Sequence, residues 1–230
     1  FDYNYSVLDV IDDKFYVYTN DGRGMASNYY VAAIDPMNPK NGSWETIVAA
    51  RQEKLESASI VGNKIICEYL KDARSQMIQY DIKGKWEGEI NLPGIGTANG
   101  FSGNIKDDHT FYSFSSFNMP PTIYKYDIKN MKSELFKKSG FSLNENDIKV
   151  EQRFYPSKDG TMIPMFIVHR ADVPLDEAQA PTLMYGYGGF NISLGPGFSI
   201  PNLYFVQQGG IYVMVNLRGG GEYGEQWHKA

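Results

Sequence analysis

Between residues 14 and 131 the chain alternates short apolar and aromatic runs with polar turn formers. "KFYVYTNDG" from Lys14, "KIICEYLKD" from Lys64 and "HTFYSFSSF" from His109 each mix aromatic with β-branched residues and end in turn-forming residues, which predicts strands. A second strand follows each, in "YYVAAIDP", "SQMIQYDIKGK" and "PTIYKYDIKNM", and each closes on an aspartate. Those aspartates, Asp35, Asp81 and Asp127, are evenly 46 residues apart. Paired short strands recurring at that period predict the four-stranded blades of a β-propeller, with the loops after the aspartates joining strands inside a blade. A β-sandwich with coincidental spacing is the alternative. Tyr80-Asp81-Ile82-Lys83 recurs in register as Tyr126-Asp127-Ile128-Lys129, which favours the repeat.

From about residue 143 the pattern changes. "VEQRFYPSKDGTMIPMFIVHR" reads as two strands joined across Ser157-Lys158-Asp159-Gly160. Thr182 to Gly186 reads as a short buried strand. "NLYFVQQGG" reads as a helix, with Ser199 near the N-cap, Pro201 in the first turn and Gly209 past the end. "IYVMVNL" reads as a strand buried on both faces of a parallel sheet. Strand, helix and strand form a βαβ unit, the opening of an α/β domain. A parallel sheet needs layers on both faces, so the chain is expected to be a fragment cut inside its second domain.

Composition narrows the classes. In 230 residues, 42% are hydrophobic and 14% aromatic, enough for a packed core rich in sheet. The net charge of −5 comes without a basic block, so no nucleic-acid partner is expected. No apolar run is long enough to span a bilayer, so no membrane partner is expected. Cys67 is the single cysteine, which excludes an internal disulfide and reads as a small buried hydrophobe. Histidines at 109, 169 and 228 lie too far apart for a short metal-binding spacing, so no metal site is expected.

Two glycine-rich stretches remain as candidate chemistry. Gly219-x-Gly221-x-x-Gly224 follows a strand and matches the dinucleotide fingerprint in form. That reading requires an acidic residue about 20 positions later, at a point this chain does not reach, and a place at the start of a domain, whereas here another strand and helix precede it. No G-x-S-x-G nucleophile elbow occurs; Gly100-Phe101-Ser102-Gly103-Asn104 and Gly197-Phe198-Ser199-Ile200-Pro201 both lack the final glycine. The other stretch is Tyr185-Gly186-Tyr187-Gly188-Gly189-Phe190, at the end of a predicted strand. A phenol held there can act as an aimed hydrogen-bond donor. With 17 tyrosines in the chain, a structural role for Tyr187 is equally open on these grounds.

"YGYGGFNISL", "NLRGGGEYGEQWH" and "FYPSKDGTMIPMFIVH" together resemble the prolyl oligopeptidase family, the prolyl endopeptidase group of serine peptidases. The likeness is strong over 143–230 and weaker through the repeats, as at "YSFSSFNMPPTIYKYD". In that family a seven-bladed propeller caps an α/β-hydrolase domain, with the active site between them. The resemblance implies that residues 1–142 are the last blades of a β-propeller, roughly three repeats. Residues 143–230 would be the N-terminal part of an α/β-hydrolase peptidase domain. It implies that Tyr187 supplies an oxyanion-hole hydroxyl and that Phe190 lines the pocket for the substrate proline. The catalytic serine, aspartate and histidine would lie beyond Ala230, leaving this chain inactive by itself.

The resemblance further implies no cofactor, short proline-containing peptides as substrates, and an intramolecular interface between propeller and peptidase domain. The Arg218–Gly224 stretch is expected to shape the cavity wall and start a helix. Oligopeptidase B, which cleaves after basic residues, is the related alternative. A propeller serving only as a binding module is the alternative from another class. The compartment is expected to be cytoplasmic or periplasmic, which the cysteine count does not decide.

Overall fold

The structure, a computed structural model, describes residues 3–22, 24–40, 43–140, 147–176 and 180–230. Its first three sheets are antiparallel four-stranded meanders in chain order. The first contains β1 (Tyr5–Ile11), β2 (Lys14–Thr19), β3 (Tyr30–Ile34) and β4 (Glu45–Val48). The second contains β5 (Lys54–Val61), β6 (Lys64–Lys71), β7 (Arg74–Asp81) and β8 (Trp86–Ile90). The third contains β9 (Thr97–Ser102), β10 (His109–Ser116), β11 (Met119–Asp127) and β12 (Lys132–Lys137).

The evenly spaced aspartates have a local cause. Each opens the turn between the third and fourth strands of its sheet and accepts a backbone N–H ahead of it. Asp35 Oδ1 accepts from Met37 at 2.8 Å, Asp81 Oδ1 from Lys83 and Lys85 at 2.9 Å, and Asp127 Oδ1 from Asn130 at 2.8 Å. This is the Asx turn, in which a carboxylate stands in for a backbone carbonyl. Two-residue hairpin turns at Asp12-Asp13, Gly62-Asn63 and Asp72-Ala73 place both residues at positive φ, the hand that continues the strand twist.

The sheets pack face to face, as propeller blades do. Tyr16, Val31 and Ala33 of the first blade meet Leu55, Ile65, Cys67 and Tyr69 of the second. Ile66 and Met77 on the other face of the second blade meet Phe101, Tyr112, Phe114 and Tyr126 of the third. Within this second layer the Phe101 and Tyr112 rings stack with centroids 4.4 Å apart. Successive residues of β6 therefore serve two different interfaces, which explains its unbroken apolar run.

The fourth sheet has the order β13-β14-β16-β15. β13 (Ile148–Pro156) and β14 (Met162–Arg170) form the expected hairpin, closed by Gly160 N–H to the Ser157 carbonyl at 2.9 Å. β15 (Thr182–Gly186) and β16 (Ile211–Val215) are parallel and joined through α1 (Ile200–Gln207), so the βαβ unit is present. Ser199 takes the N-cap place in extended conformation, without a side-chain capping bond, and Gly209 follows the helix at φ 91°. β16 is buried throughout.

β15 departs from expectation. It is a strand, but an exposed one, with Leu183, Met184 and Tyr185 all open to solvent. It lies at the sheet edge, and α1 packs Leu203 and Val206 over β14 and β16 instead.

Blades and fourth sheet share a core in which Ala73, Ile95 and Phe117 meet Ile148, Phe166, Tyr212 and Leu203. Thr97 Oγ1 donates to the Pro196 carbonyl at 2.8 Å, and Tyr223 Oη donates to Asp72 Oδ1 at 2.9 Å. The expected boundary between 142 and 143 falls within 141–146, outside the described residues. Among the described residues no helix is long and apolar enough to cross a membrane.

Candidate active site

β15 delivers the chain into the Tyr187–Phe190 turn, its last ladder pair being Gly186 with Val215. Tyr187 is 45% exposed and Phe190 84% exposed, so the turn presents a phenol and a phenyl ring three residues apart. Gly188 sits at φ 61°, and a Cβ there would come within 2.6 Å of Leu217 Cβ and 2.8 Å of the Arg218 carbonyl. Only glycine fits both constraints. Phe190 and Asn191 follow with φ of 54° and 57°. Ile192 N–H closes the turn on the Gly189 carbonyl at 3.1 Å, and Asn191 N–H reaches the Gly219 carbonyl at 3.1 Å.

The second glycine-rich stretch backs the first. A Cβ on Gly219 would meet the Gly188 carbonyl at 2.4 Å, one on Gly220 the Ile192 carbonyl at 2.9 Å, and one on Gly221 the Asn191 carbonyl at 2.6 Å. Three successive glycines thus let the two backbones touch. The dinucleotide form of this motif has a packing explanation. After it, Gly224 starts the five-residue helix α2 (Glu225–Lys229), and a Cβ on Gly224 would lie 2.1 Å from Asn28 Oδ1 of the first blade. The expected helix start is therefore present, with blade 1 against its N-terminal glycine.

Other side chains lock the backing loop. Trp227 Nε1 donates to the Leu217 carbonyl at 3.2 Å, and His228 Nδ1 lies 2.8 Å from the Gly219 carbonyl. Arg218 pairs with Asp159 in the β13–β14 turn and donates to Ser157 Oγ at 3.2 Å. The Thr161 backbone N–H first, and Arg218 second, hold the Asp159 carboxyl at about 2, against its ordinary 3.8. A depressed carboxylate stabilises the fold above its unfolded pKa, and that contribution disappears as pH falls through the folded value. Acid unfolding of Asp159→Asn should therefore show a shallower pH dependence than the parent in the window from 3.8 down to about 2, by the share of this one carboxylate. A melting temperature with the same pH slope in variant and parent would refute this. Burial, followed by the Asp72 charge, raises the Tyr223 hydroxyl far above its ordinary range, keeping it a donor to Asp72.

The remaining candidates occupy structural places. Cys67 is buried in the core between blades 1 and 2, where desolvation raises its thiol to about 12 and makes it inert. His169 is buried between the Val173 carbonyl and Glu151, and His109 pairs with Asp108 at the start of β10, an inner strand of the third blade. Among the described residues no group of three or more His, Cys, Asp or Glu could hold a metal ion. A cleft of about 510 Å³ lies between the first blade and the backing loop, lined by Asn28, Gln52, Arg218, Tyr223 and Trp227; Tyr187 and Phe190 stand outside it.

Residues 1–139 match the family model described as the prolyl oligopeptidase N-terminal β-propeller domain. The chain belongs to the prolyl oligopeptidase family. Residues 196–230, which include the backing glycines, match a second model described as the prolyl oligopeptidase family. A prolyl endopeptidase of Elizabethkingia meningoseptica is 41% identical over 230 residues, covering 100% of this chain and 32% of that protein. A prolyl endopeptidase of Dictyostelium discoideum is 40% identical over 203 residues, covering 86% of this chain and 26% of that one.

A solved prolyl endopeptidase structure superposes with a TM-score of 0.90 at 43% identity, over 99% of this chain and 33% of that one. Prolyl oligopeptidase B of Galerina marginata, bound to a 35mer hydrolysis and macrocyclization substrate, superposes with a TM-score of 0.87 at 29% identity, over 99% of this chain and 32% of that one. The chain thus spans about a third of the length of the prolyl oligopeptidase relatives it matches.

Sequence reasoning singled out Tyr187, Phe190 and both glycine stretches, and the structure brings the two stretches into contact. It missed Asn216 and Glu222, polar side chains that are 0% and 1% exposed beneath the turn. The available signal was an asparagine ending an otherwise apolar strand, and a glutamate after three glycines.

Proposed function

We propose that this chain belongs to a serine endopeptidase that hydrolyses short peptides on the C-terminal side of proline. The observation that carries the reading is the Tyr187–Phe190 turn, with both rings exposed and its backbone seated against three glycines. Serine attack on a peptide carbonyl builds negative charge on oxygen, and the Tyr187 hydroxyl is a single donor that can meet it. The Phe190 ring offers a flat apolar wall to a proline, which presents CH₂ surface and no N–H. Nucleophile, base and acid would come from residues outside these 230.

In this reading residues 1–142 are the last blades of the propeller and 143–230 open an α/β-hydrolase domain. The exposed apolar side chains of β15 support it, since they mark a sheet edge suited to further strands and helices. The shared core around Ala73, Phe117 and Phe166 would form part of the interface between propeller and peptidase domain.

The test is cleavage of matched proline and arginine chromogenic peptides by the full-length enzyme carrying this chain. Faster cleavage of the proline peptide is expected. Preference for arginine would favour an oligopeptidase B-like enzyme, and cleavage of neither a binding module. In the same assay Phe190→Ala should reduce the preference for proline over alanine before the scissile bond by about tenfold. An unchanged preference would remove Phe190 from that pocket.

A further inference from the structure

Asn216 and Glu222 converge on one residue, Leu194. Glu222 Oε1 accepts the Leu194 N–H at 3.0 Å, while Asn216 Nδ2 donates to the Leu194 carbonyl at 2.7 Å. Asn216 Nδ2 also reaches Glu222 Oε1 at 3.2 Å, which ties the pair together. The Asn216 backbone N–H donates to the Pro164 carbonyl of β14 at 3.0 Å, so the pair is anchored on the fourth sheet. Gly220 makes room for it, since a Cβ there would lie 2.3 Å from Glu222 Oε2.

Burying a carboxyl group is costly unless it is hydrogen-bonded. Here Oε1 takes both bonds, from the Leu194 N–H and Asn216 Nδ2, while Oε2 is buried without a partner among the described residues. The group is therefore held at a cost, and neither bond comes from a charged group. The location supplies a reason. The Tyr187–Phe190 turn is held upstream by the Gly186–Val215 ladder pair and the approach of Gly188 to Leu217. Beyond it, Phe190 and Asn191 sit in the left-handed region, which an asparagine adopts readily but a bulky phenylalanine holds only when its surroundings impose it. Leu194, four residues past Phe190, is the next point where both backbone polar groups are held by buried side chains.

We propose that Glu222 and Asn216 are positioning residues for the Tyr187–Phe190 turn during peptide hydrolysis. By fixing Leu194 at its N–H and its carbonyl, they hold the turn in the conformation that sets the phenol against the reacting carbonyl. This rests on the roles given to Tyr187 and Phe190 above. A misplacement of about 1 Å at such a donor weakens catalysis far more than binding.

The test compares Glu222→Ala, Glu222→Gln and Asn216→Ala in the full-length enzyme. With a proline chromogenic peptide, Glu222→Ala should lower kcat at least about tenfold and change KM by less than about threefold. Glu222→Gln keeps an oxygen acceptor for the Leu194 N–H and should recover most of that loss. Ile65→Ala, in the core between the first two blades, should lower thermal stability and leave kcat unchanged. If Glu222→Ala does not fold, Asn216→Ala is read in its place, since it removes the amide that donates to the Leu194 carbonyl and to Glu222 Oε1 and leaves Glu222 to accept the Leu194 N–H. Amide hydrogen exchange over 187–194 should accelerate in either alanine variant, independently of any turnover.

Faster exchange with an unchanged kcat overturns the positioning role. Unchanged exchange overturns the clamp itself. A parent enzyme that cleaves no proline peptide, yet shows the exchange change, overturns the reading of the site and not the clamp.

Discussion

Replacing Tyr187 with phenylalanine in the full-length enzyme is expected to lower kcat for a proline chromogenic peptide about 10²-fold, the usual scale for one oxyanion donor. The substitution removes one oxygen from a half-exposed ring and leaves the backbone of the turn as it is. KM should move by less than about threefold, because in the proposed role the hydroxyl meets charge that develops only in the transition state. The melting temperature should stay within a degree or so of the parent's, since no buried partner is left unpaired. A kcat within threefold of the parent would mean that the phenol does not serve the oxyanion.

Gly219→Ala is expected to damage both stability and turnover, although residue 219 carries no chemistry. Its φ of 95° is strained for alanine, and the new Cβ would lie 2.4 Å from the Gly188 carbonyl, a backbone atom that cannot rotate aside. Strain and overpacking together should cost roughly 2–4 kcal/mol. Any relief must push the two glycine-rich segments apart and carry Tyr187 with them, so kcat should fall by more than about tenfold. Gly197→Ala is the matched control: a Cβ there meets nothing within 4 Å, and stability and rate should be unchanged. Thermal melts and steady-state kinetics on both variants decide the matter, and a parent-like Gly219→Ala would mean that the backing loop does not hold the Tyr187–Phe190 turn.

Much of the propeller was legible because its causes are local. Asp35, Asp81 and Asp127 recur where an Asx turn closes the third strand, and such a turn needs only its own few residues. The second and third strands of each blade were readable because packing between blades demands apolar side chains along them. Outer strands such as β12 were not, because most of its side chains meet solvent and carry little apolar signal. β15 reads as buried but is exposed within these 230 residues, for a related reason. "TLMYG" has the composition of an interior strand, but burial depends on neighbours, and at the sheet edge its side chains have none above them.

At the site the same division holds. A glycine announces a backbone constraint without naming what approaches it. From "YGYGGF" and "RGGGEYG" alone, Tyr187, Phe190 and two unusual backbones could be read, and the family resemblance attached roles to the rings. That the two backbones lie against each other, and that Asn216 and Glu222 meet at Leu194, required the fold. So did the Tyr223–Asp72 bond, which joins residues 151 positions apart. Local patterning sets elements and turns, because hydrogen bonds to near neighbours and side-chain alternation act within a few residues. Which distant groups meet depends on how whole sheets dock, a sum over many weak contacts that no short stretch contains.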